Sequence, residues 1–373
     1  MSGEEKLLSC YATQNCCRRL VTAAVGSVAL LVPIACSSTS APPPSNSTPG
    51  TSSSSAGSFK IRTFSAGPNE STPGAITRLG AGVYVAFRNG VGPKGQRSSS
   101  GAMSGIVQEY TLEGAPGASW TLRGHIDGLT ADPDGHRLVA TVTEDANSSV
   151  YTIVPGANPP IAHYTYSQNP LPHGGGTGSI SLYRGHLLVS ATNPTVADGP
   201  AVYRVTLNGT TADVSPVFAD NADALVANKG QQEDQHTTLA LKDPGSTQVV
   251  PKTSPRFAGD FVLAGQGDEE QVYFDESAQP SERLHVLELA DSVADTVWVQ
   301  QPSDTLWVSD ADHNNIAAIN GAFRPGEAIT AVTPRGTTHY LGELNLDKGT
   351  IAQLPGLSAV VPAGGLLMVS PRG

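Results

Sequence analysis

The sequence predicts an all-β fold: a β-propeller, in one folded region spanning residues 58 to 373, with about six four-stranded blades. The first observation is a unit of an apolar strand, a Gly or Asp turn and a β-branched strand. It recurs about every 50 to 65 residues, near the ~40 to 50-residue period of propeller blades. The second is a composition with 40 Gly, 28 Pro and only 15% charged residues. Such a composition is typical of many short strands joined by turns, and the alternatives are a β-sandwich or two smaller β domains.

The repeated units follow one another along the whole folded region. In chain order they are Ile76–Phe87, Gly128–Thr141, Ser179–Ala191, a stretched copy from Thr238 to Ala264, Val293–Val308 and Ser358–Val369. A third strand is predicted after four of them, at Ile106–Leu112, Ser149–Val154, Ala201–Leu207 and Asn315–Ile319. Six units predict six blades, with five or seven as alternatives.

The two ends of the folded region are complementary. The last unit ends at Val369 and lacks outer strands, whereas Phe59–Phe64 is a strand-like segment that precedes the first unit. We therefore expect Phe59–Phe64 to be the outer strand that closes the last blade.

The N-terminal segment has the features of a secretory signal. Arg18 and Arg19 precede an uncharged run from Leu20 to Ala35, which is shorter than the roughly 20 residues that a spanning helix needs. Cys36 after this run resembles the acceptor cysteine of bacterial lipoproteins, although Pro33 stands where that pattern usually has Leu. The expectation is a signal peptide over residues 1–35 and a disordered Ser/Pro-rich tether over 36–57.

Cysteine usage agrees with lipidation of Cys36. The four cysteines are Cys10, Cys16, Cys17 and Cys36, so only Cys36 would remain after cleavage and no disulfide could form. The sequence thus predicts a palmitoylated, lipid-anchored protein on the extracytoplasmic side of the cell membrane. The alternative is a secreted protein in which Cys36 is incidental.

The charge excludes one class of partner. The net charge is −11, and no basic patch with interleaved aromatic residues occurs, so nucleic acid is not expected to bind.

The turns resemble a known group of propellers. Asp132-Pro-Asp-Gly and Val308-Ser-Asp-Ala-Asp-His-Asn-Asn-Ile are similar to the repeats of NHL-type and gluconolactonase-type six-bladed propellers. The stretch from Ser254 to Asp268 also resembles uncharacterised secreted propeller proteins of actinobacteria. The resemblance implies a six-bladed fold and, from the gluconolactonase type, a divalent metal held by acidic and Asn ligands at the channel.

Candidate site residues lie in the loops that lead into each inner strand and in those that follow each second strand. Because these loops open on one face of a propeller, their side chains are expected to form an acidic rim. The predicted metal ligands are Asp127, Asp268 and Asp310, whose oxygens would suit Ca²⁺. The predicted ligand-binding residues are His125, Asp234, His236, Asn193 and Asp312. The alternative is that these are solvated loop acids.

Two functions follow from this pattern, and no catalytic residue is assigned. The first is a membrane-tethered module that binds a protein, peptide or glycan, because no complete catalytic constellation is visible. The second is a metal-dependent hydrolase of the lactonase type with its site at the channel mouth, which the acidic rim favours.

Overall fold

The computed structural model describes residues 59–65, 70–145, 147–230, 232–362 and 364–371. The predicted signal peptide, Cys36 and the tether lie outside these residues. Within the described ranges, no helix has the length and apolar character needed to cross a bilayer. The single helix found there is a 3-10 turn, Pro280–Glu282.

The described residues are otherwise organised as short strands. In chain order these are β1 (Lys60–Ser65), β2 (Pro73–Leu79), β3 (Gly82–Phe87), β4 (Ser104–Tyr110), β5 (Pro116–Arg123), β6 (Ile126–Asp132), β7 (Arg137–Val142), β8 (Ser149–Ile153), β9 (Ile161–Tyr166), β10 (Gly176–Tyr183), β11 (His186–Thr192), β12 (Pro200–Asn208), β13 (Thr211–Ala219), β14 (Asp223–Val226), β15 (His236–Thr238), β16 (Pro244–Val249), β17 (Phe261–Gly265), β18 (Glu270–Phe274), β19 (Leu284–Glu288), β20 (Val293–Trp298), β21 (Thr305–Asp310), β22 (Asn315–Asn320), β23 (Ala328–Val332), β24 (Tyr340–Leu344), β25 (Ile351–Gln353) and β26 (Leu366–Val369).

These strands form a propeller of six four-stranded blades, which confirms the predicted fold. Blades one to four are β2 to β5, β6 to β9, β10 to β13 and β16 to β19. Blade five is β20, β23, β24 and β25, and blade six is β26, β21, β22 and β1. The first strand named is the innermost, and each innermost strand contacts those of the two adjacent blades. The short hairpin β14–β15 extends blade four through β19, and the outer strands β9 and β13 pair in parallel.

The ring closes through both ends of the folded region. β1 pairs with β22 from Lys60 to Ser65, and β26 pairs with β21 from Leu366 to Val369. The Phe64 ring packs 5.3 Å from the Trp307 ring, measured between centroids. The expectation that Phe59–Phe64 supplies the outer strand of the last blade is thus confirmed.

Three predicted units differ from the structure. Val293–Val308 is not a hairpin, because β20 pairs with β23 in blade five and β21 belongs to blade six. In the stretched copy the inner strand is β16 and not the segment at Thr238, because β15 pairs with β14 instead. Its predicted second strand is confirmed as β17. Ser358–Val369 contributes only β26, and its partner is the distant β21.

The core lies between the faces of neighbouring blades. Second strands such as β3 and β17 are buried at every position, because both of their faces are covered. Continuous apolar runs, rather than alternating ones, therefore mark these strands in the sequence. This packing holds the six inner strands around a common channel.

Candidate metal centre

The inner strands of all six blades line a cavity of about 510 Å³ in the middle of the ring. Nearly half of the lining residues are small or carry a hydroxyl group, including Ser179, Ser181 and Thr247. A cavity of this volume lies within the range of small-molecule sites, about 300 to 1,000 Å³.

A β-bulge recurs at the start of five inner strands and sets which residues reach the channel. In each case an extra residue interrupts the register between the inner strand and its neighbour. The residues at these bulges are Gly74–Ala75, Asp127, Gly178–Ser179, Gly245–Ser246 and Ala294, and all of them line the cavity. Bulges commonly re-aim a side chain at a functional site. Only blade two places a charged residue, Asp127, at this position.

Asp127 forms a cluster with two other potential metal ligands. Atoms of His125, Asp127 and Glu144 lie within 4.8 Å of one another, the one such group of three among the described residues. The His125 and Asp127 side chains are 10% and 3% exposed, and His125 Nε2 lies 3.0 Å from Asp127 Oδ1. This is the distance of a His–Asp ion pair, and two donors bound at about 2.1 Å and at right angles around one ion would also lie about 3.0 Å apart.

The His125 ring is oriented by its other nitrogen. Nδ1–H donates to the carbonyl of Val91 at 2.5 Å, which leaves the Nε2 lone pair for the channel side when the ring is neutral. A backbone carbonyl that holds the second ring nitrogen is a usual feature of metal-bound histidine. In the part of the chain that the structure describes, His125 Nε2 and Asp127 Oδ1 are buried and neither makes a hydrogen bond, although a protonated ring would form an ion pair with the carboxylate at their 3.0 Å separation. Buried polar atoms without partners call for an ion or water.

Glu144 is the second residue after β7, in the loop that follows that strand. Its backbone N–H donates to Asp127 Oδ2 at 3.1 Å, and its carbonyl accepts from the Thr192 hydroxyl at 2.9 Å. Burial, together with the negative charge of Asp127, raises the pKa of Glu144 to about 7, although the positive charges of Arg88 and His125 oppose this shift. A bound dication would relieve the repulsion between the two carboxylates.

Arg88 adds a positive charge beside the cluster. It follows β3 and lines the cavity, and its Nε is buried without a hydrogen-bond partner among the described residues. A Cβ placed on Gly74 would lie 3.1 Å from this Nε, so the glycine at the blade-one bulge leaves room for the guanidinium. Sequence reasoning missed Arg88 because it sought oxygen ligands. Its place directly after a second strand is the signal that could have identified it.

The structure does not bring the other two predicted metal ligands to Asp127. Asp268 accepts hydrogen bonds from the Lys242 backbone N–H at 2.7 Å and from Lys242 Nζ at 3.1 Å. Asp310 is buried and accepts from the ring of His313 at 2.8 Å and from the Val361 N–H at 3.1 Å. Both carboxylates are thus engaged within their own surroundings.

The predicted ligand-binding residues are also distributed. His125 belongs to the cluster, and Asn193 donates to Asp145, the residue after Glu144. His236 forms an exposed ion pair with Asp223 at 2.7 Å in the β14–β15 hairpin. Nearby Asp234 donates its backbone N–H to the Val226 carbonyl, and Asp312 is exposed in the loop after β21. The side chains that could act together at the channel therefore belong to blades one and two.

Comparison with known proteins finds solved structures of similar fold but no protein of similar sequence among the family models and curated proteins. No protein-family model and no curated protein matches the chain. A protein of unknown function from Bacteroides caccae is similar at 11% identity and a TM-score of 0.43, covering 80% of this chain and 86% of that one. A streptogramin B lyase structure matches at 10% identity and a TM-score of 0.35, over 70% of this chain and 98% of that one. A putative 6-phosphogluconolactonase from Bacteroides fragilis matches at 9% identity and a TM-score of 0.37, over 69% and 79%.

Proposed function

We propose that this propeller is a divalent-metal-dependent hydrolase that acts on a small polar substrate at the channel mouth. The observation that carries the proposal is the cluster of His125, Asp127 and Glu144, in which buried donor atoms converge without hydrogen-bond partners. Three protein ligands beside an open cavity leave coordination positions for a substrate, as in catalytic rather than structural sites. This favours the hydrolase over a module that only binds a partner.

The donor set favours a first-row transition ion. One imidazole nitrogen with two carboxylates suits Zn²⁺ or Mn²⁺, whereas Ca²⁺ takes oxygen ligands. His125 would bind through Nε2, while Asp127 and Glu144 would bind as carboxylates. A bound dication would act as a Lewis acid toward a substrate carbonyl oxygen.

Backbone groups of the chain orient the side chains of this site. The Val91 carbonyl fixes the His125 ring, and the Glu144 N–H fixes the Asp127 carboxylate. Glu144 must lose its proton to bind an ion, and its raised pKa of about 7 means that protons compete near neutral pH. Metal affinity is therefore expected to fall as the pH drops from 8 to 6.

The test is titration calorimetry of the folded domain with Zn²⁺, Mn²⁺ and Ca²⁺. We expect one site that prefers the transition ions, and we expect Asp127→Asn to weaken binding about a hundredfold or more. Asp312→Asn, which removes an exposed acid from the same face, is the matched control and should bind like the parent. A parent that binds no ion, or an Asp127→Asn protein that binds equally well, would contradict the proposed centre.

Hydrolysis is measured separately, with lactones and nitrophenyl esters before and after chelation. Turnover that disappears with the chelator and returns with the ion is the expected result. A protein that binds the ion but hydrolyses none of these would contradict the hydrolase proposal and favour the binding module.

We also propose that the propeller works outside the cytoplasm, held to the membrane by lipid on Cys36. Support comes from the sequence alone: the basic residues, the uncharged run and the single cysteine that follows it. A lipid anchor rather than surface charge would have to hold an acidic protein near an anionic bilayer.

A further inference from the structure

Arg88 is an unpaired cation in an otherwise acidic channel. Among the described residues no carboxylate oxygen lies within ion-pairing distance of its guanidinium. Its Nε is buried without a partner. Leaving a buried polar group unpaired is unfavourable, and more so when the group is charged. Such a group is retained more readily where a ligand completes its hydrogen bonds.

The surroundings of Arg88 leave space for that ligand. The guanidinium lies close to Gly74 at the blade-one bulge, where a Cβ would be 3.1 Å from Nε and would crowd it. Arg88 lines the same cavity as Asp127 and Glu144. It lies near enough to Glu144 for its charge to act on that carboxylate.

We propose that Arg88 binds a free carboxylate group of the substrate, so that an ester or lactone carrying such a group is preferred over a neutral one. The planar guanidinium offers paired N–H donors that match the two oxygens of a carboxylate. A singly charged carboxylate fits better than a phosphate dianion, because Asp127 and Glu144 repel a second negative charge. This inference rests on the proposed channel site but concerns a different residue.

The test compares glycolate with glycolamide, two probes of nearly equal size that differ in charge. Binding to the folded domain is measured by ligand-observed NMR, first in metal-free protein and then with Zn²⁺. We expect glycolate to bind at least about tenfold more tightly than glycolamide. In the metal-free protein, Arg88→Met should abolish this preference.

Arg97→Met is the matched control, because Arg97 lies in the same loop and already donates to the Gly101 carbonyl at 2.8 Å. It removes the same charge and should keep the preference for glycolate. Equal binding of the two probes by the parent, or an unchanged preference in Arg88→Met, overturns the inference. Tighter binding of methyl phosphate than of glycolate overturns the choice of carboxylate.

The two proposals fail in different ways. A parent that binds no Zn²⁺ yet prefers glycolate through Arg88 contradicts the metal centre and supports the acid-binding residue. A parent that binds Zn²⁺ and hydrolyses esters, but binds glycolate and glycolamide equally, supports the metal centre and contradicts the acid-binding role of Arg88.

Discussion

Asp295 lies on the inner strand of blade five, and its carboxylate joins three blades. Oδ2 accepts a hydrogen bond from the Leu366 N–H of blade six at 2.8 Å. Oδ1 accepts from the Thr296 N–H at 2.8 Å and from the Gln248 amide of blade four at 3.2 Å. Burial raises the pKa of Asp295 to about 6, although these three hydrogen bonds oppose the shift.

We expect Asp295→Ala to lower the free energy of unfolding by about 3 kcal/mol or more at pH 7.5, because three N–H donors lose their acceptor. The raised pKa adds a pH dependence with a definite sign. Between the unfolded pKa near 4 and the folded pKa near 6 the native state binds more protons, so the contribution of Asp295 decreases as the pH rises. The difference in the free energy of unfolding between parent and Asp295→Ala should therefore be about 1 kcal/mol larger at pH 5 than at pH 7.5.

Urea unfolding at the two pH values measures both effects, and Asp134→Ala, in an exposed turn, serves as the control. If the difference in the free energy of unfolding were smaller at pH 5 than at pH 7.5, Asp295 would not favour its protonated form in the fold.

At the same scale, the candidate centre was only partly predictable from the sequence. Asp127 and His125 were predicted because a loop into an inner strand must open on the channel face. Grouping them with Glu144 needs the bulge in β6, whose register depends on pairing with β7 and leaves no local signature. Asp268 has the same loop position and residue type as a ligand, but Lys242 already satisfies it. A sequence alone does not show which acids are already bonded.

Among the elements, β1 has the clearest mechanical role. It covers the edge of β22 along six paired positions, and Phe64 packs on Trp307. A variant that begins at Pro68 should aggregate or lose several kcal/mol of stability, because an uncovered apolar strand edge pairs with other chains. A variant that begins at Ser58 keeps β1 and should match the full chain within about 0.5 kcal/mol.

Thermal melts and light scattering of the two truncated proteins test this closure. Equal stability of both would mean that β1 contributes nothing to blade six.

The strand pairings also show which part of the fold could not be predicted from the sequence. Six blades follow from the recurrence of strand pairs, and the closing strand follows from the missing outer strands of the last unit. The hairpin expected over Val293–Val308 was wrong because Pro302 and Ser303 have the composition of a tight turn, although they connect two blades. The local sequence indicates a turn, but β20 pairs with the more distant strand β23 instead of with β21.

At the scale of the whole molecule, attachment through Cys36 is the expected property. Cys36→Ala should release the protein from the membrane fraction or leave an unprocessed precursor, because no other cysteine follows the uncharged run. Fractionation and intact-mass measurement report both outcomes, with Cys10→Ala as the control that should stay anchored. A Cys36→Ala protein that remains membrane-bound at its mature mass would contradict the anchor.

The interleaving of blades five and six has a consequence for how the protein is made. The chain passes from β20 into blade six, returns for β23 to β25, and reaches the innermost strand of blade six only at β26. Blades one to four are contiguous segments that duplication could copy or delete, whereas the last two could be gained or lost only together. During synthesis, the candidate metal ligands of blade two emerge early, but β26, the inner strand that lies between those of blades five and one, emerges last. A nascent chain would therefore carry its candidate metal ligands before it has a channel to enclose them.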